Sequence, residues 1–158
     1  MRLLGNIEAK SDAKGRVFLP AVFRRVLQEE SSPVLVLRKD VYQPCLTLYS
    51  ESAWSKQMEL LRSRINRWNP AHQQIYRQFL SGVEIVLLDS NGRILIPKRL
   101  LESAAIRQDI RFIGMGDYIE IWSIENSTEP FVSQEDFTSA LEMLMSGQAE
   151  APGGQPCR

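Results

Sequence analysis

The chain has 158 residues, with 19 Lys and Arg balanced by 19 Asp and Glu, one His, two Cys, 44% hydrophobic and 24% charged residues. Those proportions fit a soluble globular protein, and no apolar run approaches the roughly 18 residues of a membrane span. MRLLGNIEAK lacks a signal peptide's apolar stretch, and Cys45, Cys157 and His72 compose neither a disulfide framework nor a metal site.

The expectation is therefore a cytoplasmic protein with no metal and no cofactor. The zero net charge conceals an asymmetry: residues 1–116 carry 18 Lys and Arg against 11 Asp and Glu, and residues 117–158 carry one Arg against eight acids. A basic body followed by an acidic segment points towards a polyanionic partner. A lone His and scattered acids form no acid–base pair, and no nucleophile motif is present, so the expectation is not an enzyme.

From the N-terminus, NIEAK and RVFLP read as short strands on either side of Asp12-Ala-Lys-Gly15. In that turn Asp can bond its own backbone and Gly accepts positive φ. Pro20, with no N–H for a ladder, ends the second strand. AVFRRVL predicts a short helix with Val22, Val26 and Phe23 inward. VLVLR (34–38) is a continuous apolar run suited to a buried strand, and the alternating CLTLY (45–49) suits a half-buried one.

Trp54, Met58, Leu61 and Ile65 then recur at helical spacing, as do Ile75, Phe79 and Leu80 after Asn69-Pro70, predicting two helices with a break at that pair. VEIVLLD (83–89), RILIP (93–97), KRLLESA (98–104), IRFIG (110–114) and YIEIW (118–122) predict strand, strand, short helix, strand, strand. A last helix is predicted over Ser133–Met145, with Ser133 as N-cap, Asp136 three positions on, and Phe137, Leu141 and Leu144 as its apolar stripe. GQAEAPGGQPCR (147–158) is too poor in apolar side chains to pack and is expected to be a disordered tail. Trp54, Trp68 and Trp122 are read as core or interface anchors.

The order of elements repeats because the sequence does. DAKGRVFLP (12–20) returns as DSNGRILIP (89–97), 77 positions later, with Asp12/Asp89, Gly15/Gly92, Arg16/Arg93 and Pro20/Pro97 at equal offsets. A period this long signifies two copies of one small domain. Each copy is too short to be comfortably stable alone. Pairing the copies about a pseudo-twofold axis, with interleaved hairpins, would hide their strand edges in one shared core.

Within D-x-x-G-R, the Asp and Arg lie close together at a hairpin end. The simplest reading is a structural Asp–Arg pair around a turn that Gly permits. The functional reading gives Asp12 and Asp89 an orienting role and Arg16 and Arg93 a binding one, because a guanidinium fork suits phosphate oxygens or the O6/N7 edge of guanine. Lys10 and Lys14 add charge around the first turn, with Arg24 and Arg25 shortly after, whereas Asn91 leaves the second turn without a cation of its own. A two-stranded β element can enter the major groove.

These features together resemble the MraZ family, bacterial proteins of two tandem AbrB-like swapped-hairpin units. The resemblance rests on MRLLGN, SDAKGRVFLPAVFR, CLTLYSESAW, LDSNGRILIPKRL and EIW, and covers roughly residues 1–145. It implies an α+β fold: two AbrB-like units sharing a core, with flanking and connecting helices, over 1–77 and 78–146. It further implies a transcriptional regulator, nucleoid-associated, that binds tandem promoter repeats in double-stranded DNA ahead of the division and cell-wall gene cluster. The implied assembly is a homo-oligomeric ring. The family's DNA-contacting positions fall on Arg16 and Arg93, with Lys10 and Lys14 in support and Asp12, Asp89, Gly15 and Gly92 structural or orienting. The sequence departs from that pattern at Asn91, in the single Arg77 before the second copy, and in SIENSTEPFVSQEDF after Trp122. The rival from another class is a ring-forming, protein-binding scaffold in which the Asp–Arg pairs are structural clamps.

Overall fold

A computed structural model describes residues 2–147, which form two compact units divided between Ser127 and Thr128. Of the tail expected over 147–158, residues 148–158, with Cys157, lie outside the described residues. The first unit contains β1 (Asn6–Lys10), β2 (Arg16–Phe18), α1 (Ala21–Gln28), β3 (Val34–Lys39), β4 (Leu46–Ser50), α2 (Glu51–Arg64) and α3 (Pro70–Ser81). It continues with β5 (Glu84–Leu87), β6 (Arg93–Leu95), α4 (Lys98–Ser103), β7 (Asp109–Gly114) and β8 (Ile119–Ser123). Among the described residues, the second unit holds α5 (Gln134–Met145), whose N-cap Ser133 accepts a hydrogen bond from the Asp136 N–H.

Strand pairing interleaves the two copies. An antiparallel six-stranded sheet runs β1-β7-β8-β4-β3-β5, and β2 pairs with β6 in a separate two-stranded ribbon. The first strand of each copy thus pairs with the third strand of the other, β1 with β7 and β5 with β3. The two fourth strands meet in the middle of the sheet, β4 beside β8. Registers match across the duplication. Val17 faces Ile94 at the centre of the ribbon, and Thr47 faces Glu120 at the centre of the β4–β8 pair. A pseudo-twofold axis passes through both points.

The core is shared in the same pairs. Val17 and Ile94, Leu19 and Ile96, Phe23 and Leu100, Leu37 and Phe112, and Leu46 and Ile119 are equivalent positions, and all are buried in one cluster. Neither copy could enclose these side chains by itself, since each supplies half of every layer. Burying them removes each from water at roughly 1.5–3 kcal/mol per large side chain, a gain that each short unit would largely forfeit without the other.

Three sequence expectations change in detail. Helix α1 turns Phe23 and Leu27 inward with Val26 packed beside them, as expected for Phe23 and Val26, whereas Val22 is 42% exposed. Strand β4 is buried along nearly its whole length rather than alternating, and it lies inside the sheet between β3 and β8. Trp54 and Trp122 are buried, but Trp68 is 89% exposed in the turn between α2 and α3. Trp54 stacks parallel on Phe79 (5.5 Å), which ties α2 to α3. The break between these helices falls where expected: Asn69 caps α3 by accepting from the Ala71 N–H, and Pro70 occupies its first turn.

Candidate nucleic-acid interface

Both D-x-x-G-R segments fold as the same turn. In the first, the Gly15 N–H donates to the Asp12 carbonyl and the Asp12 N–H to the Arg16 carbonyl. The Asp12 side chain closes the turn from inside: Oδ1 accepts from the backbone N–H groups of Lys14 and Arg16, both at 2.9 Å, and Oδ2 accepts from Arg16 Nε at 2.7 Å. In the second, Asp89 Oδ1 accepts from Asn91 and Arg93 N–H, and Oδ2 from Arg93 Nε at 3.1 Å. An aspartate thus does at each site what neither Glu nor Asn can do fully, bonding two amides and a guanidinium with one short side chain.

These contacts lower the pKa of both carboxyls. The backbone N–H of Arg16 is the main cause for Asp12, and that of Arg93 for Asp89. A carboxylate that accepts several N–H bonds is favoured in its charged form. Each Asp therefore stays ionised at neutral pH and holds its Arg by a charge-assisted bond.

Glycine is needed in both turns for its backbone conformation, and in the first for space as well. Gly15 and Gly92 have φ of +90° and +83°, where a side chain is strained. A β-carbon on Gly15 would also lie 2.6 Å from the Ile96 carbonyl oxygen. That close approach lets the Ile96 N–H donate to the Gly15 carbonyl, and the equivalent Leu19 N–H donates to that of Gly92. Each turn is thereby bolted to the strand end of the other copy.

The ribbon brings the two arginines together. Arg16 faces Leu95, Val17 faces Ile94 and Phe18 faces Arg93. Alternation sends Val17 and Ile94 into the core and leaves Arg16, Phe18, Arg93 and Leu95 on the outer face. Arg16 and Arg93 are diagonal neighbours, a geometry that places such residues about 7–8 Å apart, with their β-carbons somewhat closer. Phe18 and Leu95 are 58% and 53% exposed, and the Arg93 guanidinium lies over the Phe18 ring at 5.7 Å.

Only the Nε edge of each arginine is engaged. Among the described residues, neither Nη group of Arg16 or Arg93 donates to a protein acceptor. Lys14 is exposed at the tip of the first turn and has no carboxylate partner there. Lys10 lies further back on β1, opposite Asp109, at 3.7 Å from its carboxylate. Its charge is thus partly answered within the protein.

One residue at this site falls outside the expectation. Arg24, which the sequence places beside the first turn, reaches the second. Its Nη1 donates to the Leu19 carbonyl at 3.0 Å, and a β-carbon on Gly92 would lie 2.8 Å from both its Cδ and its Nη1. Only the swapped pairing brings residues 24 and 92 together, so nothing in the local sequence announces it.

Comparison with known proteins places this geometry in a family. The family described as "MraZ protein, putative antitoxin-like" matches residues 3–78 and again residues 79–140. A protein of Phocaeicola vulgatus named Transcriptional regulator MraZ is 61% identical over 145 residues, covering 92% of this chain and 94% of its own length. Its namesake in Bacteroides thetaiotaomicron is 56% identical, covering 97% and 98%. A more distant namesake, in Photorhabdus laumondii, retains 34% identity over 75% of this chain and 77% of its own. Matched across both copies of its turn and nearly end to end by these relatives, the chain belongs to the MraZ family.

Proposed function

We propose that this protein is a sequence-specific transcriptional regulator that binds double-stranded DNA through the outer face of the β2–β6 ribbon. The observation that carries the reading is the state of the two arginines. Each is held at Nε by its aspartate and keeps both Nη groups free of protein acceptors among the described residues. A fork aimed in this way suits the paired acceptors of a guanine edge or two phosphate oxygens. A structural clamp would gain more from a bidentate Asp–Arg pair, which is why the scaffold reading is the weaker one. The names of the relatives agree with regulation and not with catalysis.

In this reading Arg16 and Arg93 contact DNA, Lys10 and Lys14 support them, and Asp12, Asp89, Gly15 and Gly92 hold the turns. Residues 1–77 and 78–146 act as the two units. The protein works in the cytoplasm at the nucleoid, on tandem repeats in the promoter of the division and cell-wall gene cluster. It assembles as a homo-oligomeric ring whose protomers each present one ribbon. A single ribbon is a small, salt-sensitive contact, and linked ribbons gain through effective concentration.

The test is a set of duplexes from immediately upstream of the protein's own gene: one repeat, several repeats spaced about 10 bp apart, and the same repeats displaced by half a helical turn. Binding should be tightest to the in-phase array and should fall towards the single-repeat value when phase is broken. Equal affinity for all three would overturn the ring-on-repeats mechanism, and no affinity above that for unrelated DNA would overturn sequence-specific binding.

A further inference from the structure

We infer that Arg24 is the missing cation of the second turn, a DNA-phosphate contact delivered from the first copy across the pseudo-twofold axis. The inference rests on the DNA-binding reading and adds to it a residue and a division of labour. Each Asp–Arg pair is neutral as a unit, so the net positive charge at each turn must come from other side chains. In the first turn it comes from Lys14. The second turn has Asn91 at the equivalent position, 77 residues on.

The helix residue that covers each turn is exchanged in the opposite sense. Arg24 covers Gly92, with Cδ and Nη1 both 2.8 Å from where a β-carbon would stand. Its equivalent, Leu101, covers Gly15, with Cδ1 3.3 Å from the corresponding point. One turn therefore carries Lys14 and Leu101, the other Asn91 and Arg24. Each receives one cation, the first from within its own turn and the second from helix α1, and both are supplied by the first copy.

The setting suits a phosphate contact rather than an internal ion pair. Arg24 has no carboxylate partner within salt-bridge distance among the described residues. Its single hydrogen bond to protein, from Nη1 to the Leu19 carbonyl, fixes the side chain over the turn and uses one of five donors. Leu19 is itself bonded to Gly92 through its N–H. The guanidinium is thus held to the same frame that positions Arg93. A charge over the turn and no acceptor among bases would add affinity without adding sequence preference.

The experiment measures affinity as a function of salt by fluorescence anisotropy, using the upstream duplex and an unrelated duplex of equal length. Arg24→Leu copies the residue found at the other turn. It should weaken binding to both duplexes by about five- to ten-fold near 0.1 M salt and lower the slope of log K against log salt by about 0.9 per engaged protomer. Arg24→Lys should keep the slope. Asn91→Lys placed on Arg24→Leu should restore it, because the charge returns to the same turn from a different position.

An unchanged slope in Arg24→Leu would overturn the inference. Failure of Asn91→Lys to restore the slope, with the double variant folded by circular dichroism, would also overturn it and assign Arg24 to packing. An Arg16→Ala arm separates this from the parent reading. If Arg16→Ala binds as the unmodified protein does, the DNA interface itself is wrong; if it weakens binding while Arg24→Leu does not, only the role of Arg24 fails.

Discussion

Arg93 rests over the ring of Phe18, whereas Arg16, its equivalent across the pseudo-twofold axis, faces Leu95 and has no ring beneath it. The difference shows in exposure: the Arg93 side chain is 26% accessible and that of Arg16 40%. The ring face attracts the cation and narrows its range of positions. Phe18→Leu makes the two sides alike. It should weaken DNA binding about two- to five-fold, matching the roughly 0.5–1 kcal/mol of an exposed cation–π contact. Thermal stability should hardly change, because the ring is 58% exposed. Unaltered affinity in an anisotropy titration would show that the ring does not position Arg93.

Arg16→Ala and Arg93→Ala should each reduce affinity for the upstream duplex by about 1–3 kcal/mol if the fork reads a guanine edge. Both Asp–Arg pairs are solvent-exposed, and exposed pairs contribute little to stability. The thermal midpoints should therefore stay within a few degrees of the unmodified protein. A calorimetric scan showing that either variant unfolds early would move the arginines to a structural role.

Asp12→Asn separates the two jobs of the aspartate. The Asn side-chain oxygen can still accept from the Lys14 and Arg16 amides, but its NH₂ would face Arg16 Nε, donor against donor. The turn should persist while the guanidinium loses its direction. Competition with unrelated DNA should then show specific affinity falling more than non-specific affinity. A gain in specificity would contradict the orienting role.

The lowered pKa values of Asp12 and Asp89 set a pH window. A group whose folded pKa is depressed contributes stability above its unfolded value, and that contribution is lost as pH falls through the folded one. The turns should therefore be insensitive to pH from neutrality down to the ordinary carboxylate range near 4, and open only in stronger acid. Amide exchange of Gly15 and Gly92, followed by NMR across this range, measures it directly. Opening near pH 6 would contradict the geometry.

Glu120 titrates in the opposite sense. Burial raises its pKa, the Trp122 Nε1 bond at 3.0 Å opposes this, and Asp40 adds to it; Tyr49, Tyr118 and Cys45 also lie within its electrostatic reach. The folded state then holds the proton more tightly than the unfolded chain. Stability should decline as pH rises from about 4.5, the ordinary value, through the folded pKa. Glu120→Gln keeps an acceptor for Trp122 and removes the charge, so it should raise the thermal midpoint at pH 7 and leave it little changed at pH 4. A lower midpoint at pH 7 would show that the ionised form is needed.

Much of the fold was legible because each signal was local. The duplicated turn, the short helices after Pro20 and Pro97 and the apolar strands are written in runs of five to ten residues, and the Asn69-Pro70 break has its own cap chemistry. The interleaved pairing followed from the marginal size of each copy, an argument about edges and burial rather than about any one residue. What escaped were relations across the swap. Arg24 reads as part of the first turn because it is eight residues from Arg16, yet the fold delivers it to Gly92. Phe18 beneath Arg93 is hidden for the same reason. On α1, Phe23 and Val26 were read correctly, but Val22 was placed inward and Leu27 missed, since a helix of eight residues gives its period little room to declare itself.

A twofold arrangement made from two identical chains repeats every substitution on both sides and so is bound to a palindromic view of its target. Here the axis through Val17–Ile94 and Thr47–Glu120 lies inside a single polypeptide. Each side can change alone, and it has: Lys14 against Asn91, Arg24 against Leu101, Phe18 against Leu95. The ribbon consequently has a head and a tail. A reader of that kind can distinguish one direction along the double helix from the other, so several of them side by side would share one polarity and favour sites repeated head to tail over inverted ones.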